Sequence, residues 1–203
     1  MLESFPSERP VSGVVPGRVT EVLPGEGLVV EGTGAVIMAA TTIGSDCTGL
    51  LKMVAPVPGR VLRPEHIDAT CHGTVMVGGV GEDLEALGRA AEFGAQGVVL
   101  GSVPSSWVTT HLPLPVTITE GFGQMPMSRP AFEALSALAG ELAYVMRRGS
   151  RTWIVVPRQL EAPPRFDGVG LVCIEEDSLV HVVAGPRAGT IGKVIDRLAG
   201  RDK

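Results

Sequence analysis

Short apolar runs recur along this chain, and glycine or proline separates most of them. Between residues 11 and 38, two valine-rich stretches flank the sequence PGEG at 24–27, a composition typical of a tight turn between strands. This pattern predicts a β-hairpin or meander. The sequence VPGRV occurs at 15–19 and again at 57–61, which indicates two related β elements.

The middle of the chain combines strand and helix patterns. The run TVMVGG at 74–79 predicts a buried strand, after which apolar residues return at helical spacing as far as Gly94. A second apolar run follows at 96–103. The order strand, helix, strand predicts a parallel pair joined by a right-handed crossover.

Further elements are expected after this unit. A third strand is predicted within 112–123, followed by a helix over 128–148 with Ser128 as its N-cap. The apolar run RTWIVVP at 151–157 predicts another strand, and residues 159–168 have the proline-rich composition of a linker. Beyond this boundary we expect only strands.

The sequence APVPGRV at 55–61 resembles a strand and turn of biotinyl and lipoyl carrier modules, which are barrel-sandwich hybrids. The resemblance implies a related fold for the N-terminal region. Carrier chemistry would need a lysine at the tip of a tight hairpin. Lys52 lies only three residues before Ala55, too close for a strand to return between them. We therefore interpret Lys52 as a solvent-facing strand residue.

Residues 169–197 contain alternating apolar positions followed by regularly spaced glycines, which can supply the backbone angles of a turn. This pattern resembles the KOW motif of ribosomal large-subunit proteins and bacterial transcription elongation factors. The resemblance implies a small C-terminal β-barrel whose turn and adjacent strands contact RNA or a protein partner. The interaction residues that it implies are His181, Gly185, Pro186, Arg187, Gly189, Gly192, Lys193 and Arg197.

The whole chain is also similar to an uncharacterised group of bacterial proteins with a terminal KOW segment. Residues 25–31, 34–37 and 91–101 carry that similarity, which implies no particular activity. We therefore expect an α+β fold of several modules. These are a β barrel-sandwich-like module at 10–70, a small α/β module at 71–148 and a KOW-type β-barrel at 149–203.

Charge limits the partners that this chain can have. The net charge of −5 and the pI of about 5.4 oppose a chain-wide role in binding nucleic acid. Between residues 181 and 203 five basic residues stand against two acidic ones, but Glu175, Glu176 and Asp177 precede them. No aromatic residue is interleaved with the basic ones to stack on bases. A protein partner is therefore at least as well supported as RNA.

The cellular compartment is predicted from the cysteines and the N-terminus. Cys47, Cys71 and Cys173 are an odd number at wide spacing, which favours reduced thiols. The N-terminus lacks the apolar core of a secretory signal, and no run is long enough to span a bilayer. We expect a soluble, cytoplasmic protein without a membrane partner.

Glycine-rich loops after the central strands are candidate ligand loops, because a phosphate can bind free backbone N–H groups at a helix N-terminus. Their residues are Gly78, Gly79, Gly101, Gly121, Gly123 and Arg129. Glu82 and Asp83 would repel a phosphate from the first loop, so a turn with a helix cap is the favoured interpretation there. No catalytic constellation, metal site or cofactor is predicted, because Ser102 has no identifiable base and no ligand pair has metal spacing.

Three functional hypotheses remain open from the sequence. The first is a non-enzymatic cytoplasmic scaffold or adaptor that binds protein partners or assembles with its own copies. The second is a ribosome- or transcription-associated factor that binds RNA through the KOW turn. The third is a small-molecule binding protein or enzyme with its site in the central module.

Overall fold

The computed structural model describes residues 15–25, 27–149, 151–157, 179–181, 191–193 and 195 of the 203-residue chain. Within them lie twelve strands and two α-helices, interspersed with three short 3₁₀ helices at Pro64–His66, Ala69–Cys71 and Ser105–Thr109. In chain order they are β1 (Arg18–Leu23), β2 (Gly27–Glu31), β3 (Gly34–Ala39), β4 (Thr41–Ile43), β5 (Cys47–Met53), β6 (Thr74–Val77), α1 (Leu84–Glu92), β7 (Gly97–Val103), β8 (Val116–Phe122), α2 (Arg129–Ala137), β9 (Leu142–Arg148), β10 (Arg151–Pro157), β11 (Leu179–His181) and β12 (Ile191–Lys193). Neither of these two helices is long and apolar enough to cross a membrane.

One mixed sheet of eight strands dominates the described residues, with the order β3-β10-β9-β5-β6-β7-β8-β4. The four strands β5, β6, β7 and β8 run parallel, and the remaining pairs are antiparallel. The parallel connections pass through α1 and the 3₁₀ helices, as parallel strands require a crossover. Two further two-stranded antiparallel sheets, β1–β2 and β11–β12, have no strand pairing with this sheet among the described residues.

The eight-stranded sheet curls on itself. Strands β3 and β4 lie at opposite ends of the strand order, yet only Ala40 separates them along the chain. Because consecutive Cα atoms are about 3.8 Å apart, the two ends of the sheet must meet at Ala40. The sheet therefore has an inner surface enclosed by its own strands and an outer surface.

Two hydrophobic clusters fill the two sides of the parallel strands. On the outer side, α1 buries Ala86, Leu87 and Ala90 against residues of β7 and β8. On the inner side, alternate residues of β6, β7, β9 and β10 pack together with Leu135 of α2. All seven residues of β7 are buried because both of its faces are covered.

The expected architecture of separate modules is wrong. The strands β3, β4 and β5, which were assigned to a barrel-sandwich-like module, pair instead with β10, β8, β9 and β6 in the mixed sheet. The central strands are therefore not a separate α/β layer. Strand β10, which was assigned to a C-terminal KOW-type barrel, lies between β3 and β9. The cause is long-range pairing, which a reading of local patterns does not reveal.

Local predictions had mixed outcomes. The hairpin around residues 24–27 is confirmed, with Leu23 opposite Gly27, and so is the parallel β6-α1-β7 unit. The helix predicted over 128–148 is confirmed at its start, with Ser128 at the N-cap position, but its extent is wrong, because α2 ends at Ala137 and residues 142–148 form β9. Gly140 adopts a φ of 87°, which breaks the helix, and alternate residues of β9 then face the inner core.

Candidate interaction surface

The glycine loops predicted to bind a ligand do converge at the carboxyl ends of the parallel strands. The N–H of Gly101 donates to the carbonyl of Gly79 at 2.6 Å, and Gly121 lies beside Ser102 in the β7–β8 pair. Gly78 donates to Val99 in the same region. The sequence pattern therefore identified positions that are neighbours in the fold.

The space next to Gly79 and Gly101 is filled by the protein's own backbone, whereas nothing lies within 4 Å of a Cβ placed on Gly123. A Cβ atom on Gly101 would lie 2.4 Å from the amide nitrogen of Met127, and one on Gly79 would lie 2.4 Å from the carbonyl oxygen of Arg60. The N–H of Met127 also donates to the carbonyl of Pro58 at 3.1 Å. Because Gly79 and Gly101 have no side chain, neighbouring loops pack directly against their backbone, and no space for a ligand is left there.

Each α-helix begins at a carboxylate of this chain. The side chain of Asp83 accepts a hydrogen bond from the N–H of Glu85 at 2.9 Å in α1. At α2, Oε1 of Glu120 accepts one from the N–H of Ser128 at 2.7 Å. A bound phosphate would have to compete with these negative charges at the positive end of each helix dipole. Sequence reasoning missed Glu120 because it lies eight residues before Ser128, a spacing that the local capping patterns of helices do not have.

Arg129, the cation predicted to support a ligand at the Gly121 to Gly123 loop, has a partner on its own helix. Its Nε donates to Oε1 of Glu133, one turn later, at 2.7 Å. This hydrogen bond raises the pKa of the Arg129 guanidinium. The guanidinium is thus directed along the helix surface.

Nucleophilic and metal-binding residue types are held in structural roles. The hydroxyl of Ser102 donates to the carbonyl of Met125 and accepts from its N–H, both at 2.7 Å. Lys52 lies on β5, and its ammonium group donates to Asp68 and Thr70. The side-chain and backbone hydrogen bonds from Thr70 to Asp68, and then the bond from Lys52, lower the pKa of the Asp68 carboxyl group. Over the residues that the structure describes, no group of three His, Cys, Asp or Glu side chains could hold a metal ion.

The KOW-type positions are only partly described. His181 lies in β11, and Gly192 and Lys193 lie in β12, where His181 is paired with Ile191 and Leu179 with Lys193. The other implied interaction residues lie outside the described residues: Gly185, Pro186, Arg187, Gly189 and Arg197.

The outward-facing residues of β3, β10, β9 and β5 form rows across four neighbouring strands. In one row Trp153 is directly opposite both Met38 and Met146. In the next, Val155 is opposite both Val36 and Tyr144. Leu142 and Leu50 form a third pair. We call this surface the outer apolar face, with the residues Val36, Met38, Leu50, Leu142, Tyr144, Met146, Trp153 and Val155.

The outer apolar face is not covered by the helices. Half of its residues are exposed, including Met38 at 57% and Leu50 at 48%, and the rest are half-buried. The buried residues of both helices belong to the two core clusters, which contain none of the eight. Strand β2 approaches one border, where a groove of about 410 Å³ runs between Val30 and Trp153. Among the described residues no helix lies over this surface, and a large exposed apolar surface is typical of an interaction site.

Comparisons with known proteins give little further information. No protein-family model matches the chain, and no curated protein matches it. Among solved structures, it is similar to the muramoyltetrapeptide carboxypeptidase of Oxalobacter formigenes, with 15% sequence identity and a TM-score of 0.33. The similarity covers 61% of this chain, which spans about half (49%) of that protein. A similarity of this size carries no argument about fold or activity.

Proposed function

We propose that this protein is a non-enzymatic scaffold or adaptor that binds another protein, or further copies of itself, through the outer apolar face. The observation that carries the proposal is the set of rows around Trp153 and Tyr144 on four helix-free strands. We further propose a cytoplasmic location, in keeping with the free thiols of Cys47 and Cys71.

The composition of the face supports binding to protein. Tryptophan and tyrosine contribute most of the energy at many protein interfaces, and methionine adapts to varied partner shapes. The chain has one tyrosine and two tryptophans. Tyr144 and Trp153 lie on the face, whereas Trp107 is buried in the core. Two of the three tyrosine and tryptophan side chains therefore lie on this one surface.

The borders of the face have charges that can orient a partner. Lys52 lies two residues after Leu50 on β5, and Arg151 lies two residues before Trp153 on β10, so both belong to the same side of the sheet as the face. Arg151 is exposed, and Lys52 is paired with Asp68. A basic border around an apolar centre fits a partner whose own interface is apolar with acidic residues at its edge.

The experiment that tests this proposal compares wild-type protein with the double variant Trp153→Ser and Tyr144→Ser. Val57→Ser with Val108→Ser is the matched control, because both valines are exposed and lie elsewhere. Each protein is used in affinity capture from extract and in light scattering after size exclusion. We expect wild type and control to retain the same partner or oligomer and the double variant to lose it. The proposal would be contradicted if the wild type were a monomer and captured no protein that the double variant fails to capture.

A further inference from the structure

One side of the hairpin β1–β2 is apolar over two successive pairs of residues. Val19 is opposite Val30, and Val22 is opposite Leu28. Leu28 and Val30 are two residues apart on β2, so both pairs lie on the same side of the hairpin. We call these four residues the apolar side of the hairpin.

The base of this side borders the outer apolar face. Val30 lines the groove of about 410 Å³ together with Trp153 and Met146 of that face. All three residues are half-buried. The apolar side of the hairpin and the outer apolar face therefore meet along this groove and form one continuous apolar surface.

Outside the groove, both parts of this surface are exposed in a single copy of the chain. Val22 and Leu28, towards the turn of the hairpin, are 64% and 59% exposed. On the sheet, Met38, Leu50 and Leu142 are exposed as well. An isolated two-stranded hairpin is at best marginally stable in water, and a large exposed apolar surface is typical of a contact site. Each part thus lacks a cover that the single copy does not provide.

The hairpin is held in place at its base. Two residues connect β2 to β3. A Cβ atom on Gly17 would lie 2.4 Å from the carbonyl oxygen of Glu31, and one on Gly32 would lie 2.9 Å from the carbonyl oxygen of Pro16. This close packing of backbone on backbone, with the short connection to β3, holds the hairpin in the position in which its turn end is exposed. That end is therefore available to a second copy.

We propose that two copies of this chain form a symmetric dimer, in which Val22 and Leu28 of each hairpin pack on the exposed part of the outer apolar face of the other copy. This inference rests on the function proposed above and names a second copy as the partner. One chain supplies both the projecting apolar element and the apolar surface that receives it, and a contact that joins them in both directions closes with twofold symmetry. The charges beside the two surfaces are complementary, because Glu21 is exposed next to Val22 and Arg151 is exposed on the same side of the sheet as the face.

Sedimentation velocity of the full-length chain over a series of concentrations tests the dimer. We expect the wild type to be a dimer that dissociates on dilution. The hairpin variant is Val22→Ser with Leu28→Ser, and it should raise the dissociation constant by roughly tenfold or more, because apolar contact is lost in both halves of the interface. The face variant, Met38→Ser with Leu50→Ser, should do the same. Val57→Ser with Val108→Ser is the control and should leave the constant unchanged, because both valines are exposed and lie elsewhere.

A mixture of the hairpin variant and the face variant shows which surfaces meet. The hairpin variant retains an intact face and the face variant retains an intact hairpin, so one of the two contacts can form between them. We expect the mixture to form a heterodimer that is more stable than the dimer of either variant alone. This expectation holds even if the serine substitutions unfold the hairpin, because the substituted hairpin takes no part in the contact that forms.

The outcomes separate this inference from the proposed function. A wild type that stays monomeric at every concentration would overturn the dimer. The proposed function would then still stand if Trp153 and Tyr144 were needed to capture another protein, and it would fall as well if they were not. A dimer that the hairpin variant leaves unchanged would also overturn the inference, since the two faces would then contact each other directly, in keeping with the proposed function. A mixture without a heterodimer would show that the hairpin does not bind the face.

Discussion

The hydroxyl groups of Thr42 and Thr117 lie 2.9 Å apart on paired strands and share a buried hydrogen bond. Thr152, on β10, is equally buried at 1% exposure. Its Oγ1, however, has no hydrogen-bond partner among the described residues. The sheet thus buries two hydroxyl groups that are hydrogen-bonded to each other and one, that of Thr152, that loses its hydrogen bonds to water without gaining a partner among the described residues.

Replacing Thr152 by valine should increase stability. Valine keeps the shape of the side chain and removes the unpaired hydroxyl, so we expect the free energy of unfolding to rise by about 1 kcal/mol. Thr117→Val is the matched change, and it should lower the free energy by about 1 to 2 kcal/mol because Thr42 loses its partner. Urea unfolding measures both. A loss of stability for Thr152→Val would mean that an ordered water satisfies this hydroxyl.

The glycines of the filled loops should not tolerate a side chain. Gly101→Ala places Cβ 2.4 Å from the backbone nitrogen of Met127, which a rotamer change cannot relieve. We expect a loss of roughly 1 to 3 kcal/mol in thermal or urea unfolding. Gly88→Ala in α1 meets no atom within 4 Å and should instead gain about 0.5 to 1 kcal/mol. A neutral Gly101→Ala would show that the loop containing Met127 can move away from Gly101, and a ligand could then bind in the space that it leaves.

Glu120 should stabilise the start of α2. Glu120→Ala leaves the N–H of Ser128 without its 2.7 Å acceptor, and we expect a cost of about 1 kcal/mol in urea unfolding. Glu120→Gln keeps an acceptor without the charge that complements the helix dipole, so it should lose less. Glu133→Ala, an exposed change on the same helix, serves as control and should leave unfolding nearly unchanged. Equal effects of all three variants would contradict the role of Glu120.

The features that could be predicted from the sequence are local ones. The hairpin at 24–27 depends on a few adjacent turn residues, and the β6-α1-β7 unit depends on a periodicity within about thirty residues. The sequence of β9 predicts helix because its leucine, alanine and methionine favour helix. Only the turn at Gly140 and the pairing with β5 and β10 make it a strand.

The candidate surface could not be predicted, because it exists only through long-range pairing. Val36 and Val155 are far apart in the sequence and become neighbours when β3 joins β10. By contrast, the convergence of the glycine loops followed from a general rule, that the carboxyl ends of parallel strands share one edge.

Cys47 should make stability depend on pH in the alkaline range. Burial, with a smaller contribution from the Asp46 carboxylate, raises the pKa of its thiol from 9.0 to about 11. Between these two values the unfolded chain releases a proton that the folded chain retains, so rising pH favours unfolding. The stabilising contribution is therefore fully present below about pH 9 and is lost as pH rises towards 11.

We expect the urea midpoint of wild type to fall more steeply over this interval than that of Cys47→Ala. Asp46→Asn should be intermediate, because Asn keeps an acceptor for the N–H of Arg147 and removes only the charge. Parallel curves for wild type and Cys47→Ala would show that the thiol ionises equally readily in both states.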